Sequence, residues 1–172
     1  MVFVLCFLKH LEKIKLKLKQ DFIPDDAKCS THNSFDNGHA VGITIHWTGP
    51  YPGQTPEQVR QWWIDSKSEA SAHFIIKDEE VLQCWPLERV AWHAGCRPGN
   101  YQTIGIEVIP MNKEGEFSAM SINSLNELIK YLNKELGMTA PIVRHFDWTG
   151  KLCPAYYVDS NKWKQLLKEI TV

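Results

Sequence analysis

The stretch from His145 to Cys153 reads His-Phe-Asp-Trp-Thr-Gly-Lys-Leu-Cys and is followed by Pro154. A neutral imidazole and a thiolate are the nitrogen and sulfur donors that a borderline-soft divalent zinc ion prefers. Lys151 stands two positions before the sulfur. A closed structural zinc site has no use for a nearby ammonium, whereas a hydrolytic site needs a cation where negative charge develops on oxygen. The missing donor is expected from His46, which ends the run Val41-Gly-Ile-Thr-Ile-His46. Three protein ligands around one zinc ion, with the fourth position left for water, describe a catalytic site. Asp147 is the rival fourth donor, but two residues from His145 it would crowd the metal.

Glu107 is the second chemical oddity. It lies in Thr103-Ile-Gly-Ile-Glu-Val-Ile109, where Ile104, Ile106 and Val108 share one face and Gly105, Glu107 and Ile109 the other. A charged carboxylate is costly to bury in such a strand unless a lysine or metal-held water pairs with it; the alternative is an edge strand with Glu107 in solvent. His93, in Trp92-His-Ala-Gly95, reads as either a substrate contact or a satisfied structural histidine. His32 and His39 fall in a polar stretch over residues 24–40 and are expected to be solvated.

The elements that must position these groups follow from periodicity. Ile43 and Ile45 alternate with Thr44 and His46, the pattern of a half-buried strand that aims His46 away from the isoleucines. Thr55-Pro56-Glu57-Gln58 reads as an N-cap, a first-turn proline and a capping-box glutamine, opening a helix with Val59, Trp62, Trp63 and Ser66 on one face and both tryptophans in the core. Residues 72–77 and 80–85 suggest a hairpin turning at Asp78-Glu79, and residues 87–99 a loop. Ser121 is expected to cap a long helix with Ile122, Leu125, Leu128, Ile129, Leu132 and Leu136 at helical spacing and Gly137 as its stop. Pro141 to His145 returns as a short strand, and Asp159 opens a terminal helix with Trp163, Leu166, Leu167 and Ile170 as its inner stripe. The sum is an α/β fold, a central mixed β-sheet flanked by helices, with the site where the strands bearing His46, Glu107 and His145 end.

At 172 residues the chain fits one domain, expected over 22–172, after an N-terminal extension over 1–21. Met1 to Leu8 is apolar but far shorter than the ~20 residues of a membrane helix, and lacks the basic residues and cleavage site of a signal peptide. No stable membrane insertion is expected. Ile14 to Lys19 alternates as a strand with a lysine face. A net charge of −1 and a pI near 6.6 argue against a nucleic-acid partner. Five cysteines at irregular spacing suit free thiols at Cys6, Cys29, Cys84 and Cys96, with Cys153 as the ligand.

Taken together, Thr44-Ile-His46, Ser71-Ala-His-Phe74, Trp92-His-Ala-Gly95, Ile104-Gly-Ile-Glu107 and His145 to Pro154 resemble the zinc-dependent N-acetylmuramoyl-L-alanine amidases, the class related to phage T7 lysozyme and the animal peptidoglycan recognition proteins. The order and separation of the blocks look most like the amidase domains of phage and prophage endolysins from Gram-positive hosts, over about residues 22 to 168. The resemblance implies hydrolysis of the amide between N-acetylmuramic acid and L-alanine in bacterial cell-wall peptidoglycan. It implies His46, His145 and Cys153 as ligands to one zinc ion, Glu107 as general base, Lys151 as oxyanion stabiliser, and His73 and His93 on the substrate side. The T7-like members carry a catalytic tyrosine immediately before the histidine of the His-Phe pair; Ala72 stands there in this chain, so the base role shifts to Glu107. A noncatalytic peptidoglycan-binding module is the competing reading, against which Cys153 speaks. The analogy further implies synthesis in the cytoplasm and action at the cell wall after release.

Overall fold

A computed structural model of the chain describes residues 16–66, 69–137 and 139–170. Among these residues the strands β1 (Lys17–Gln20), β2 (Gly42–Trp47), β3 (Phe74–Lys77), β4 (Glu80–Gln83), β5 (Thr103–Val108) and β6 (Ile142–Arg144) form one mixed sheet in the order β1-β4-β3-β5-β2-β6. The helices are α1 (Pro56–Asp65), α2 (Arg97–Gln102), α3 (Ala119–Leu136), α4 (His145–Thr149) and α5 (Ser160–Ile170). β3, β5, β2 and β6 are mutually parallel, while β4 turns back antiparallel to β3 and β1 runs parallel to β4.

The alternation along the parallel strands divides the sheet into a packing face and a chemical face. Ile43, Ile45, Phe74, Ile76, Ile104, Ile106 and Val108 pack against Leu125, Leu128, Ile129 and Leu132 of α3 and Trp163, Leu166 and Ile170 of α5. On the other face, Ile75 and Leu82 meet Val59 and Trp63 of α1. Because side chains alternate with a period of two, Thr44, His46, Gly105 and Glu107 point to this second face.

The helix ends carry the expected chemistry, with two differences. Thr55 caps α1 with a full capping box to Gln58, and Gly137 closes α3 in the left-handed conformation (φ 66°) that a side chain would resist. Asp159 Oδ1 accepts from the backbone N–H groups of Asn161 and Lys162 at the start of α5. The cap of α3 is Ser118 rather than Ser121: the helix begins a turn earlier, and the Ser118 hydroxyl accepts from Ser121 N–H. Of the two tryptophans expected in the core, Trp63 is 4% exposed but Trp62 is 56% exposed, since the apolar stripe of α1 is only wide enough to cover one of two consecutive residues.

The hairpin turns without glycine because Asp78 itself adopts a positive φ (51°). The loop expected over 87–99 gives way at Arg97 to the short helix α2, with Pro98 in its first turn. Residues 17–20, assigned from sequence to an extension, add the edge strand β1, whose exposed Lys17 and Lys19 pair with Glu79 and Glu57. Met1 to Leu8 and Cys6 lie outside the described residues, and Cys29, Cys84, Cys96 and Cys153 are free thiols. Among the described residues no helix is long and apolar enough to cross a membrane.

Candidate active site

The parallel register sets the site. His46 pairs with Glu107 across β2 and β5, and Ile45 pairs with Arg144 of β6, so His46, Glu107 and His145 come to the same level at the carboxyl ends of adjacent strands. That edge is where ligands bind in open α/β sheets. The segment after α4 brings Cys153 back over it: Phe146 N–H bonds the Cys153 carbonyl oxygen at 2.9 Å. One ligand atom each from His46, His145 and Cys153 lies within 4.8 Å of the others. His46 Nδ1 is 3.1 Å from His145 Nδ1 and 3.7 Å from Cys153 Sγ. For a tetrahedral zinc ion the bond lengths imply about 3.4 Å between two nitrogens and about 3.6 Å between nitrogen and sulfur.

The protonation chemistry of the three donors fits a cation as well. Burial holds the His46 pKa well below its ordinary value, helped by the neighbouring His93 and His145 imidazoles. His145 is lowered to about 4, by burial first and then by the Lys151 ammonium. Both rings are therefore neutral and able to ligate near pH 7. Burial pushes the Cys153 thiol up to about 12, with the Glu107 carboxyl adding to the effect and a Trp47 backbone hydrogen bond opposing it. A buried thiol beside two facing imidazole nitrogens is poorly satisfied by protein alone; a divalent cation among them would deprotonate it and relieve the lone-pair repulsion. Asp147 does not join the cluster. Its carboxylate is committed to Arg144, at 2.6 Å from Nη2, and to the Arg144 backbone N–H at 2.8 Å, which caps α4.

Glu107 stands beside the donors with a fully buried Oε2 that has no hydrogen-bond partner among the described residues. Burial raises its carboxyl to about 8, an effect partly offset by the charge of Lys151. Glu107 and the exposed Lys151 line a cavity of about 220 Å³ together with His46, His145 and Cys153, and both also border an adjoining groove of about 500 Å³ with Tyr51, Trp62 and Trp63 on its walls. The cavity holds the donors, a carboxyl and an ammonium; the groove adds exposed aromatic surface.

Of the two histidines expected on the substrate side, His93 lines the cavity and His73 does not. His73 is fully buried, with Nε2 3.0 Å from the Arg89 carbonyl oxygen and Nδ1 accepting from Gly105 N–H at 3.0 Å, so neither nitrogen is left for a ligand. His93 borders the cavity but is 7% exposed, and its nitrogens face His46 Nε2 at 3.0 Å and the Thr103 carbonyl oxygen at 3.1 Å. It thus contacts His46 while lining the cavity. His32 and His39 are exposed, away from the site.

Two residues near the site have no signal in the sequence reading. Asn100, 7% exposed, accepts with Oδ1 from the backbone N–H of both His93 (3.0 Å) and Ala94 (2.7 Å). Arg144 bonds Asp147 and the carbonyl oxygens of Tyr157 (3.1 Å) and Val158 (3.0 Å). Their positions alone, an asparagine directly after Arg97-Pro-Gly99 and an arginine directly before His145, do not reveal these roles.

The family model for N-acetylmuramoyl-L-alanine amidase matches residues 36–156, a range that contains His46, Glu107, His145, Lys151 and Cys153. The amidase XlyB of Bacillus subtilis (strain 168) is 35% identical over 129 residues, covering 72% of this chain and 40% of the relative. The amidase CwlH of the same organism is 29% identical over 164 residues, 90% of this chain and 61% of the relative. The chain thus spans between 40% and 61% of the length of these relatives. Among solved structures, the catalytic domain of XlyA superposes with a TM-score of 0.76 at 31% identity, covering 89% of this chain and 98% of that one. A mutant endolysin from Bacillus subtilis gives 0.77 at 30% identity, covering 91% and 99%.

Proposed function

The chain belongs to the N-acetylmuramoyl-L-alanine amidase family, and on that premise we propose that it hydrolyses the amide between the lactyl group of N-acetylmuramic acid and the first L-alanine of the peptidoglycan stem. The observation that carries the reading is the convergence of His46, His145 and Cys153 beside the unpartnered carboxyl of Glu107. His46 and His145 through Nδ1, and Cys153 through its sulfur, would hold one zinc ion. Bound there, zinc supplies Lewis acidity, polarising the amide carbonyl and lowering the pKa of water, which an amide's poor electrophilicity requires.

The remaining work falls to the chain's own side chains. Glu107 takes the proton of the attacking water and delivers it to the alanine nitrogen as the C–N bond breaks. Burial makes its carboxyl a stronger base than an exposed one, Lys151 pulls partly the other way, and a cation bound at the donors would further favour the ionised form that accepts the proton. Lys151, exposed and lining the same cavity, would serve the oxygen on which negative charge develops. A thiolate donor leaves the metal a weaker acid than three imidazoles would, which places more of the barrier on Glu107 and Lys151.

The test is incubation of the protein with purified Gram-positive cell walls, with and without a chelator, followed by assay of new L-alanine amino termini. Their appearance, loss with chelator and return with added zinc are expected. Wall binding without new termini would identify a noncatalytic recognition module and refute the proposal. Glu107→Ala should retain zinc while turnover falls at least about a hundredfold; unchanged turnover in the zinc-loaded variant removes Glu107 from the mechanism.

A further inference from the structure

Resting on the reading of His46, His145 and Cys153 as metal donors, we propose that the His93–Ala94 loop, pinned by Asn100, is a positioning device that fixes the His46 imidazole in the tautomer leaving Nδ1 bare. The chain of hydrogen bonds starts at Thr103. Its carbonyl oxygen, 3.1 Å from His93 Nε2, can only accept, so that nitrogen carries the proton. A neutral His93 then presents a lone pair at Nδ1, 3.0 Å from His46 Nε2, and His46 must donate into it. The proton of His46 is thereby placed on Nε2, and its Nδ1 is a lone pair turned toward His145 Nδ1 and Cys153 Sγ.

Ala94, the next residue, continues the same loop. A single carboxamide oxygen holds the loop in turn, since Asn100 Oδ1 accepts from the N–H groups of His93 and Ala94. An imidazole standing second to a metal imidazole is a neutral acceptor, unlike the carboxylate often found there, so it orients the ring without adding negative charge to the site.

Three measurements test this. Long-range proton–nitrogen correlation spectra of the imidazoles in the wild-type protein should show His93 and His46 protonated at Nε2. Zinc affinity, measured by competition with a chromophoric chelator, should fall about 10–100-fold in His93→Leu. In His93→Gln, whose carboxamide can both accept and donate, it should recover most of that loss. Protonation of His93 at Nδ1 in the wild type overturns the proposal without any variant, as does a folded His93→Leu protein that binds zinc as tightly as wild type. A wild-type protein that binds no zinc overturns the metal reading itself, an outcome distinct from a zinc-binding protein indifferent to His93.

Discussion

Replacing Gly105 with alanine should damage the metal site from a position that touches none of its donors. An added Cβ at Gly105 would lie 2.5 Å from Cγ of His93, 2.7 Å from its Cδ2 and 2.9 Å from its Cβ. Carbon atoms in contact prefer about 3.5–4.0 Å, so the ring must retreat by about 1 Å. Such a retreat stretches the bonds to His46 and Thr103, now 3.0 and 3.1 Å, beyond useful length. Overpacking costs about 1–3 kcal/mol and each of the two lost hydrogen bonds about 0.5–1.5 kcal/mol, which places the substitution at roughly 2–6 kcal/mol. The assay is a double-mutant cycle: denaturant unfolding of the metal-free wild type, Gly105→Ala, His93→Ala and the double variant, with zinc affinity read on each. Truncating His93 removes two of the three close contacts, so the cost of the added methyl should drop by at least about 1 kcal/mol in that background. If the two substitutions add to within about 0.5 kcal/mol, the ring is not what Gly105 makes room for, and the reasoning fails.

Lys151→Met should leave zinc stoichiometry unchanged and lower turnover at least about a hundredfold, because the ammonium acts where charge develops rather than on the metal; wild-type turnover in the zinc-loaded variant would refute that role. Burial lowers His73 to about 4, below the ~6.5 of an unfolded histidine, so the folded state refuses a proton that the unfolded chain accepts. Its contribution is whole above about pH 6.5 and lost as pH falls toward 4, by roughly 3 kcal/mol. Urea unfolding at pH 7 and pH 4 should therefore show a smaller acid loss for His73→Gln than for wild type, and equal losses would contradict the assignment. Trp62, 56% exposed on the wall of the groove that reaches Glu107 and Lys151, offers an aromatic surface to substrate. Trp62→Ala should raise KM for a soluble muramyl peptide with little change in kcat, and an unchanged KM would leave the tryptophan without a role in binding.

The clustering of His46, His145 and Cys153 was legible because metal chemistry restricts residue type. An imidazole, a lysine and a sulfur packed into nine residues are hard to explain otherwise, and the strand period alone put His46 on the face away from Ile43 and Ile45 and Glu107 on the face away from Ile104 and Ile106. The capping box of α1 and the glycine stop of α3 were equally plain, since each is a local contact between residues a turn apart. Tertiary partners were not legible. Nothing local distinguishes Trp62 from Trp63, and only the docking of α1 on β3 and β4 decides which is covered. The roles of His73 and His93 were not legible, because a histidine's role depends on what meets its two nitrogens, and those partners, Arg89, Gly105, Thr103 and His46, come from other strands and loops. The glycine at position 105 carried a hint, as an isolated glycine in a strand marks a close approach, but not of what approaches.

Arg144 shows how the fold turns a short segment into a fixed pair of candidate ligands. It ends β6, and the next residue, His145, begins α4, so the strand's register sets the height of the imidazole but not the position of the sulfur farther along the chain. The guanidinium supplies that second constraint. Nη2 reaches Asp147 at 2.6 Å on the near side of Cys153, and Nη1 reaches the carbonyl oxygens of Tyr157 and Val158 on the far side. One rigid planar group thus clamps both flanks of the segment that carries the thiol, while Phe146 N–H bonds the Cys153 carbonyl oxygen within it. Lysine could keep the charge but not the fork, because a single ammonium on a flexible stem lacks the fixed geometry that meets both flanks. The spacing between His145 and Cys153 is therefore set from outside the segment, by a side chain anchored to the sheet.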